Sequence, residues 1–258
     1  MSNLLLANPE AFLASMLFAM LRVGGAFVTA PIFAHLSMPL QLRILLAAAI
    51  AVAVVTTRTL PAVDLVSAAG LIAAAGEVTI GLALGFVLQL AFAAPIVAGE
   101  QIAAAAGLGF AAFSDPMSGV TTPAIGQFLS LLMTLLFLAF DGHLRFLEIV
   151  VRSYAALPPG NALPSAANWR DLAQFGGFVF EAGFLIALPI AAALLCVNIS
   201  LGVLTHAAPQ LNIFAVGLPI SVLAAMAMLA LAFPALVDLL TGVIGHSLDV
   251  AARLAGGG

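Results

Sequence analysis

From Glu181 to Asp238 the chain passes through 56 residues without an Asp, Glu, Lys or Arg, and only His206 could carry a charge there. A helical crossing of the bilayer's apolar core takes about 20 apolar residues at about 1.5 Å each. The run therefore holds two crossings, separated by the polar stretch Ala-Ala-Pro-Gln-Leu-Asn at 207–212. Pro209 removes a backbone donor and disfavours helix at Ala208, so the reversal falls there. A soluble domain has no use for two consecutive uncharged spans. The chain reads as an integral membrane protein.

Composition leads to the same class. Apolar residues make up 64% of the 258 and charged residues only 7%, against roughly 25% charged in soluble domains. The net charge of −4, with no lysine at all, offers no basic patch for nucleic acid. Cys196 is the single cysteine, which leaves no internal disulfide or thiolate metal cluster; it reads as a small packed hydrophobe. The N-terminus lacks the basic stretch of a cleavable signal, so the first apolar segment is expected in the mature protein.

Apolar runs and breakers predict an all-α, polytopic membrane protein of kinked helical hairpins. Unpaired backbone is prohibitive in hydrocarbon, and no period-2 alternation suggests a barrel. Six segments emerge, at about 11–30, 42–57, 63–94, 124–140, 182–206 and 213–237, the third ended or kinked by Pro95. The most polar region lies at 141–175. Asp141, Arg145, Glu148 and Arg152 line one helical face there, with Leu144, Leu147 and Val151 alongside, followed by a Pro/Asn/Ser-rich loop from 157 to 168. Arg145, Arg152 and Arg170 share this region, which the positive-inside rule assigns to the cytoplasm.

Several polar residues stand out in apolar surroundings. Glu77 sits mid-way along the third segment with no basic residue within a few turns, and Gly81, Gly85 and Gln89 share its face. Small residues at that spacing admit a neighbouring helix, and the carboxyl and amide can bond across the contact. At bilayer depth Glu77 is expected to be protonated, paired, or facing a polar cavity. Glu100 and Gln101 follow Pro95, and Asn198, Gly202 and His206 form a second four-residue ladder. His35, His143, His206 and His246 show no metal-ligand spacing, and no phosphate loop, nucleophile elbow or acid–base carboxylate pair is visible, so neither a metal nor a catalytic site is expected. The stretch 106–119 combines Gly107 and Gly109, Phe110 and Phe113, and the turn-forming Ser114-Asp115-Pro116. Irregular backbone at membrane depth survives only when protein buries it or it lines a cavity, so this loop is either a stopper or an ordinary turn.

Taken in order, the segments resemble the FliR family, the flagellar-type subunit of the type III secretion export apparatus, related to the SctT subunits of injectisomes. The likeness is carried by Leu21-Arg22-Val23 with Thr29-Ala30-Pro31-Ile32-Phe33, by Gly76-Glu77 and 80–86, by Gln89-Leu90-Ala91-Phe92, and by Gly99-Glu100. It continues through Gly107-Leu108-Gly109-Phe110-Ala111-Ala112-Phe113-Ser114-Asp115-Pro116, then Leu138 to Leu144, Ala207 to Phe214 and Gly217-Leu218-Pro219. Asp141 stands where the family often has Asn. The resemblance implies a non-enzymatic subunit without cofactors, in the export apparatus of a flagellar basal body or injectisome at the bacterial inner membrane. Its partners would be FliP-like and FliQ-like subunits, an FlhB-like subunit, membrane lipid and unfolded polypeptides in transit. It implies a FliP-like part over 1–175, including the 106–119 and 141–175 loops, and a FliQ-like hairpin over 176–258. Gly107, Leu108, Gly109, Phe110, Phe113, Ser114, Asp115, Pro116 and Met117 would form a plug. Glu77, Gln89, Glu100, Gln101, Asn198, His206, Gln210 and Asn212 would be buried polar groups at subunit contacts. The rival readings are a secondary transporter built around a buried carboxylate, motivated by the discontinuous helices, and an intramembrane enzyme using Glu100 and Asp115.

Overall fold

A computed structural model describes residues 9–35, 38–58, 67–108, 124–160, 166–208 and 213–256. They form eight helices: α1 Pro9–Thr29, α2 Pro31–Ala34, α3 Leu40–Thr57, α4 Ala68–Ala105, α5 Ala124–Ala139, α6 Gly142–Ala156, α7 Ala166–Ala207 and α8 Ile213–Leu254. No strand occurs among the described residues. α1, α3, α4, α7 and α8 are each long and apolar enough to cross a membrane, while α5 and α6 qualify only together, as a broken pair. The protein is a polytopic all-α membrane protein.

Three boundaries differ from the sequence expectation. Pro95 does not end the third segment: α4 continues ten residues past it to Ala105. Proline forfeits one bond to the carbonyl four residues back, but the rest of a buried helix has no water to turn to and stays paired. α7 begins at Ala166, so Asn168, Arg170 and Asp171, read as loop and polar segment, are helical. α8 runs on through Pro219 and Pro234 to Leu254, well beyond 237. α7 ends at Ala207 and α8 begins at Ile213, so the expected break separates two helices, with 209–212 outside the described residues. α6 buries Phe146, Val150, Ser153 and Tyr154, while Leu144 is 54% exposed. Glu148 and Arg152 pair on its outer side at 2.6 Å. Cys196 is exposed on this chain rather than packed within it.

The chain separates into two compact units that interleave along the sequence and cut across the 1–175 and 176–258 division. One comprises 1–91, 141–176 and 244–258; the other comprises 92–140 and 177–243. In the first, Ala19, Ala51, Val54, Val55 and Tyr154 form a buried cluster that Phe12, Met16, Met20, Ile50 and Val151 surround. Phe27 stacks on Phe33 at 4.4 Å between ring centroids, and Phe33 on Phe146 at 6.3 Å, bringing α2 and α6 to α1. Asn168 donates to the Leu254 carbonyl at 3.1 Å, tying the start of α7 to the end of α8. In the second unit, Phe92 meets Phe137 edge-on at 5.7 Å, joining α4 to α5. A Cβ on Gly99 would run into the backbone of Gly126, so these helices touch at the start of α5.

α7 and α8 leave most of their apolar surface uncovered. In their most apolar windows 22% and 17% of residues are buried, against 56% for α4. Leu185, Leu188, Leu195, Ile199, Leu223, Met226 and Leu231 all stand outward. Lipid or other polypeptides must cover that face.

Candidate functional site around the buried Arg22–Glu77 pair

Glycines bring α1 and α4 into backbone contact. A Cβ on Gly81 would collide with the Arg22 carbonyl, and one on Gly85 with the Thr29 hydroxyl and Ala26 carbonyl. From the other side, a Cβ on Gly25 would lie 2.9 Å from the Val78 carbonyl oxygen. Thr29 Oγ1 uses that proximity to donate across the contact to the Leu82 carbonyl at 3.0 Å. The face read from Gly81 and Gly85 is thus a helix seat, as their spacing predicts.

One turn before Gly81, Glu77 meets Arg22. Both are wholly buried, and Arg22 grips the carboxylate with two bonds, Nε to Oε2 at 2.8 Å and Nη2 to Oε1 at 2.7 Å. The planar guanidinium matches a carboxylate in this forked geometry and cannot lose its proton in proteins. Its remaining donors turn to α6, where Nη1 gives to Ser153 Oγ at 2.8 Å and Nη2 to the Leu157 carbonyl at 2.7 Å. Leu157 caps the end of α6, where carbonyls lack partners within the helix and the dipole is negative, so a cation suits the place. Tyr154 completes the enclosure. Its ring lies 4.1 Å below the guanidinium carbon, and its hydroxyl donates to the Ala19 carbonyl at 2.8 Å. Ser153 Oγ–H donates in turn to the Val150 carbonyl at 2.7 Å.

Of the outcomes expected for Glu77, pairing is the one found. Its partner lies 55 residues upstream on another helix, beyond the reach of spacing along α4. The signal was available: Arg22 and Glu77 are lone, opposite charges inside apolar segments, and each needs a counter-charge at that depth. Both carboxylate oxygens accept from the guanidinium, so the cluster works as a clamp joining α1, α4 and α6.

The other expected residues are scattered. Gln89, Glu100, Gln101, Asn198 and His206 are exposed on this chain, so they are not buried within it. The Asn198, Gly202, His206 ladder does not act as a unit: only Asn198 bonds elsewhere, giving Nδ2–H to the Ala105 carbonyl at 2.8 Å and accepting from Ser221 Oγ at 3.0 Å. Gly107 and Leu108 are described; Gly109, Phe110, Phe113, Ser114, Asp115, Pro116, Met117, Gln210 and Asn212 lie outside the described residues. At its start the 106–119 loop leaves α4 through a glycine cap. Leu108 N–H returns to the Ala103 carbonyl at 2.9 Å and Gly107 N–H to Ala104 at 3.1 Å, with Gly107 at φ 76°. This six-to-one and five-to-two pairing is the Schellman arrangement, and it needs the left-handed residue that glycine supplies. Among the described residues no three His, Cys, Asp or Glu side chains converge as a metal site.

A family model described as "Bacterial export proteins, family 1" matches residues 13–247. The flagellar biosynthetic protein FliR of Escherichia coli K12 is 36% identical over 83% of this chain and 82% of its own length. The FliR of Pectobacterium carotovorum is 38% identical over the same shares. The FliR of Bacillus subtilis is 29% identical over 92% of this chain and 93% of its own. With the match spanning both compact units and the whole Arg22–Glu77 clamp, the chain belongs to family 1 of the bacterial export proteins, the FliR family.

Proposed function

We propose that the chain is a structural, non-enzymatic subunit of the flagellar-type protein export gate in the bacterial inner membrane. It would assemble with FliP-like and FliQ-like subunits, beside an FlhB-like one, around a closed pore for unfolded polypeptides. The observation that carries the reading is the family match over 13–247 together with the outward apolar faces of α7 and α8. A subunit of a helical assembly requires such faces, and sister subunits would cover them along with Gln89, Glu100, Gln101, His206, Gln210 and Asn212. The division into a FliP-like part, 1–175, and a FliQ-like hairpin, 176–258, belongs to this reading.

In it, the loop 106–119 closes the pore from within. Support comes from its composition, with Phe110 and Phe113 for bulk and Gly107 and Gly109 for freedom, and from the fixed stem at Gly107. Replacing 107–117 by a short flexible linker should raise ion leakage through reconstituted complexes whose subunit composition is unchanged. Wild-type conductance in such a complex would refute the plug. Against the transporter reading stands Glu77, which Arg22 holds on both oxygens.

A further inference from the structure

We infer that the cleft between the end of α3, the outer face of α6 and the end of α8 is a binding site for the phosphodiester headgroup of an anionic phospholipid. Its volume is about 520 Å³, and three of the chain's seven arginines line it, Arg58, Arg145 and Arg152. Every lining residue belongs to one compact unit. Arg145 and Arg152 stand two turns apart on α6, about 10.5 Å along its axis, and Arg58 is the residue after α3. Glu148 and Asp249 also line the cleft, so three guanidiniums meet two carboxylates. The lining is thus one positive charge in excess, in a chain whose net charge is −4. A phosphodiester carries one negative charge.

The cations are available for such a ligand. Among the described residues the side chains of Arg58 and Arg145 make no hydrogen bond or ion pair. Arg152 is paired with Glu148 at 2.6 Å, but both side chains are largely exposed, and such a pair is weak enough for Arg152 to turn to a ligand. Guanidinium forks match phosphate oxygens two at a time, and basic pockets between membrane helices take anionic headgroups. The depth fits as well. The 18 residues of α3 span about 27 Å, close to the thickness of the hydrocarbon core, and Arg58 comes next. Trp169 is exposed on the first turn of α7, which Asn168 ties to Leu254 at the end of α8, beside the cleft. Tryptophan favours the headgroup layer. Between the charges the wall is apolar, built from Ile149, Leu248 and Ala252, and it suits the glycerol end of acyl chains. A dissolved phosphate or an acidic peptide needs no apolar wall at headgroup depth, so these observations favour the lipid. The inference goes beyond the export-gate reading and needs only a membrane-spanning chain.

The test is native mass spectrometry of the full chain in a non-ionic detergent, titrated with phosphatidylglycerol or with phosphatidylcholine of the same acyl chains. Phosphatidylglycerol should be held the more tightly. Arg58→Gln and Arg145→Gln break no side-chain bond among the described residues, so the fold should stand. Each should weaken phosphatidylglycerol binding about five- to tenfold and leave phosphatidylcholine unchanged. Asp249→Asn removes a negative charge from the lining and should tighten binding about two- to fivefold, a gain that misfolding cannot produce. Arg170→Gln removes the same charge from outside the cleft and should change nothing. Unaltered binding in both Arg58→Gln and Arg145→Gln overturns the site. An equal loss in Arg170→Gln also overturns it, because the attraction would then be one of overall charge. Release of the lipid by equimolar inorganic phosphate, or by a glutamate-rich peptide, overturns the lipid assignment in favour of a dissolved anion or an acidic segment.

Discussion

Removing the carboxylate of Glu77 should be among the most damaging single changes available to this chain. In Glu77→Leu the volume is nearly kept, so no large void opens, but Arg22 loses two of its four hydrogen bonds and the counter-charge it grips. Charge-assisted bonds contribute about 1.5–3 kcal/mol each, so the two together predict a loss of about 3–6 kcal/mol. Breaking one side of a buried ion pair gives a comparable figure, about 3–5 kcal/mol. Adding Arg22→Met should recover most of that loss. Ser153 still gives its proton to Val150, and the remaining cost is the Leu157 carbonyl left without a donor, about 1–3 kcal/mol. Unfolding by SDS in mixed micelles, followed through the chain's single tryptophan, Trp169, measures all three proteins. A loss below about 1 kcal/mol for Glu77→Leu, or a double variant no firmer than the single one, would refute the clamp.

Other substitutions probe the geometry at separate points. Gly81→Val should separate α1 from α4 and abolish accumulation of folded chain on a quantitative immunoblot, whereas Gly24→Ala, where a Cβ meets nothing within 4 Å, should leave the level unchanged. Asp141 holds φ 54° between α5 and α6, so Asp141→Asn should be tolerated and Asp141→Val should cost about 1–3 kcal/mol in the same micelle assay. Tyr154→Phe retains the ring under Arg22 and loses only the bond to Ala19; it should cost about 1 kcal/mol, clearly less than Glu77→Leu.

Helix content and the membrane class were legible because hydrocarbon forbids unpaired backbone, so an uncharged run of sufficient length admits one reading. Helix ends were less so. Pro95 is a helix breaker on average and Asn168 and Asp171 are weak helix formers, yet α4 and α7 pass through them, because neighbouring packing outweighs one missing bond or a few solvated side chains. Periodicity along one helix exposed the Gly81/Gly85 seat but could not name what sits on it. Arg22, Ser153 and the Leu157 carbonyl reach Glu77's neighbourhood from two other helices, and one of these contacts is made by backbone, which no residue type advertises. On α6 the ladder of Asp141, Arg145, Glu148 and Arg152 is exposed, and spacing alone does not say which apolar residues face the core. Phe146, Val150 and Tyr154 are the residues that turn inward. Asn198 was singled out with the wrong companions, since its neighbours at four-residue spacing matter less than Ala105 and Ser221, which arrive from elsewhere in the chain.

The Arg22 clamp also sets a timetable for biosynthesis. Glu77 is polymerised 55 residues after Arg22, and Ser153 another stretch later, 131 residues behind it. At about 5–20 residues per second, the guanidinium waits roughly 3–11 s for its counter-ion and about 7–26 s for its last side-chain ligand. An unpaired guanidinium among acyl chains costs at least about 2.5–3.5 kcal/mol throughout that interval. The first helix must therefore linger in the insertion machinery or at the headgroup layer until α4 emerges. A ribosome stalled between Arg22 and Glu77 should leave it extractable by alkali, and one stalled beyond Glu77 should not.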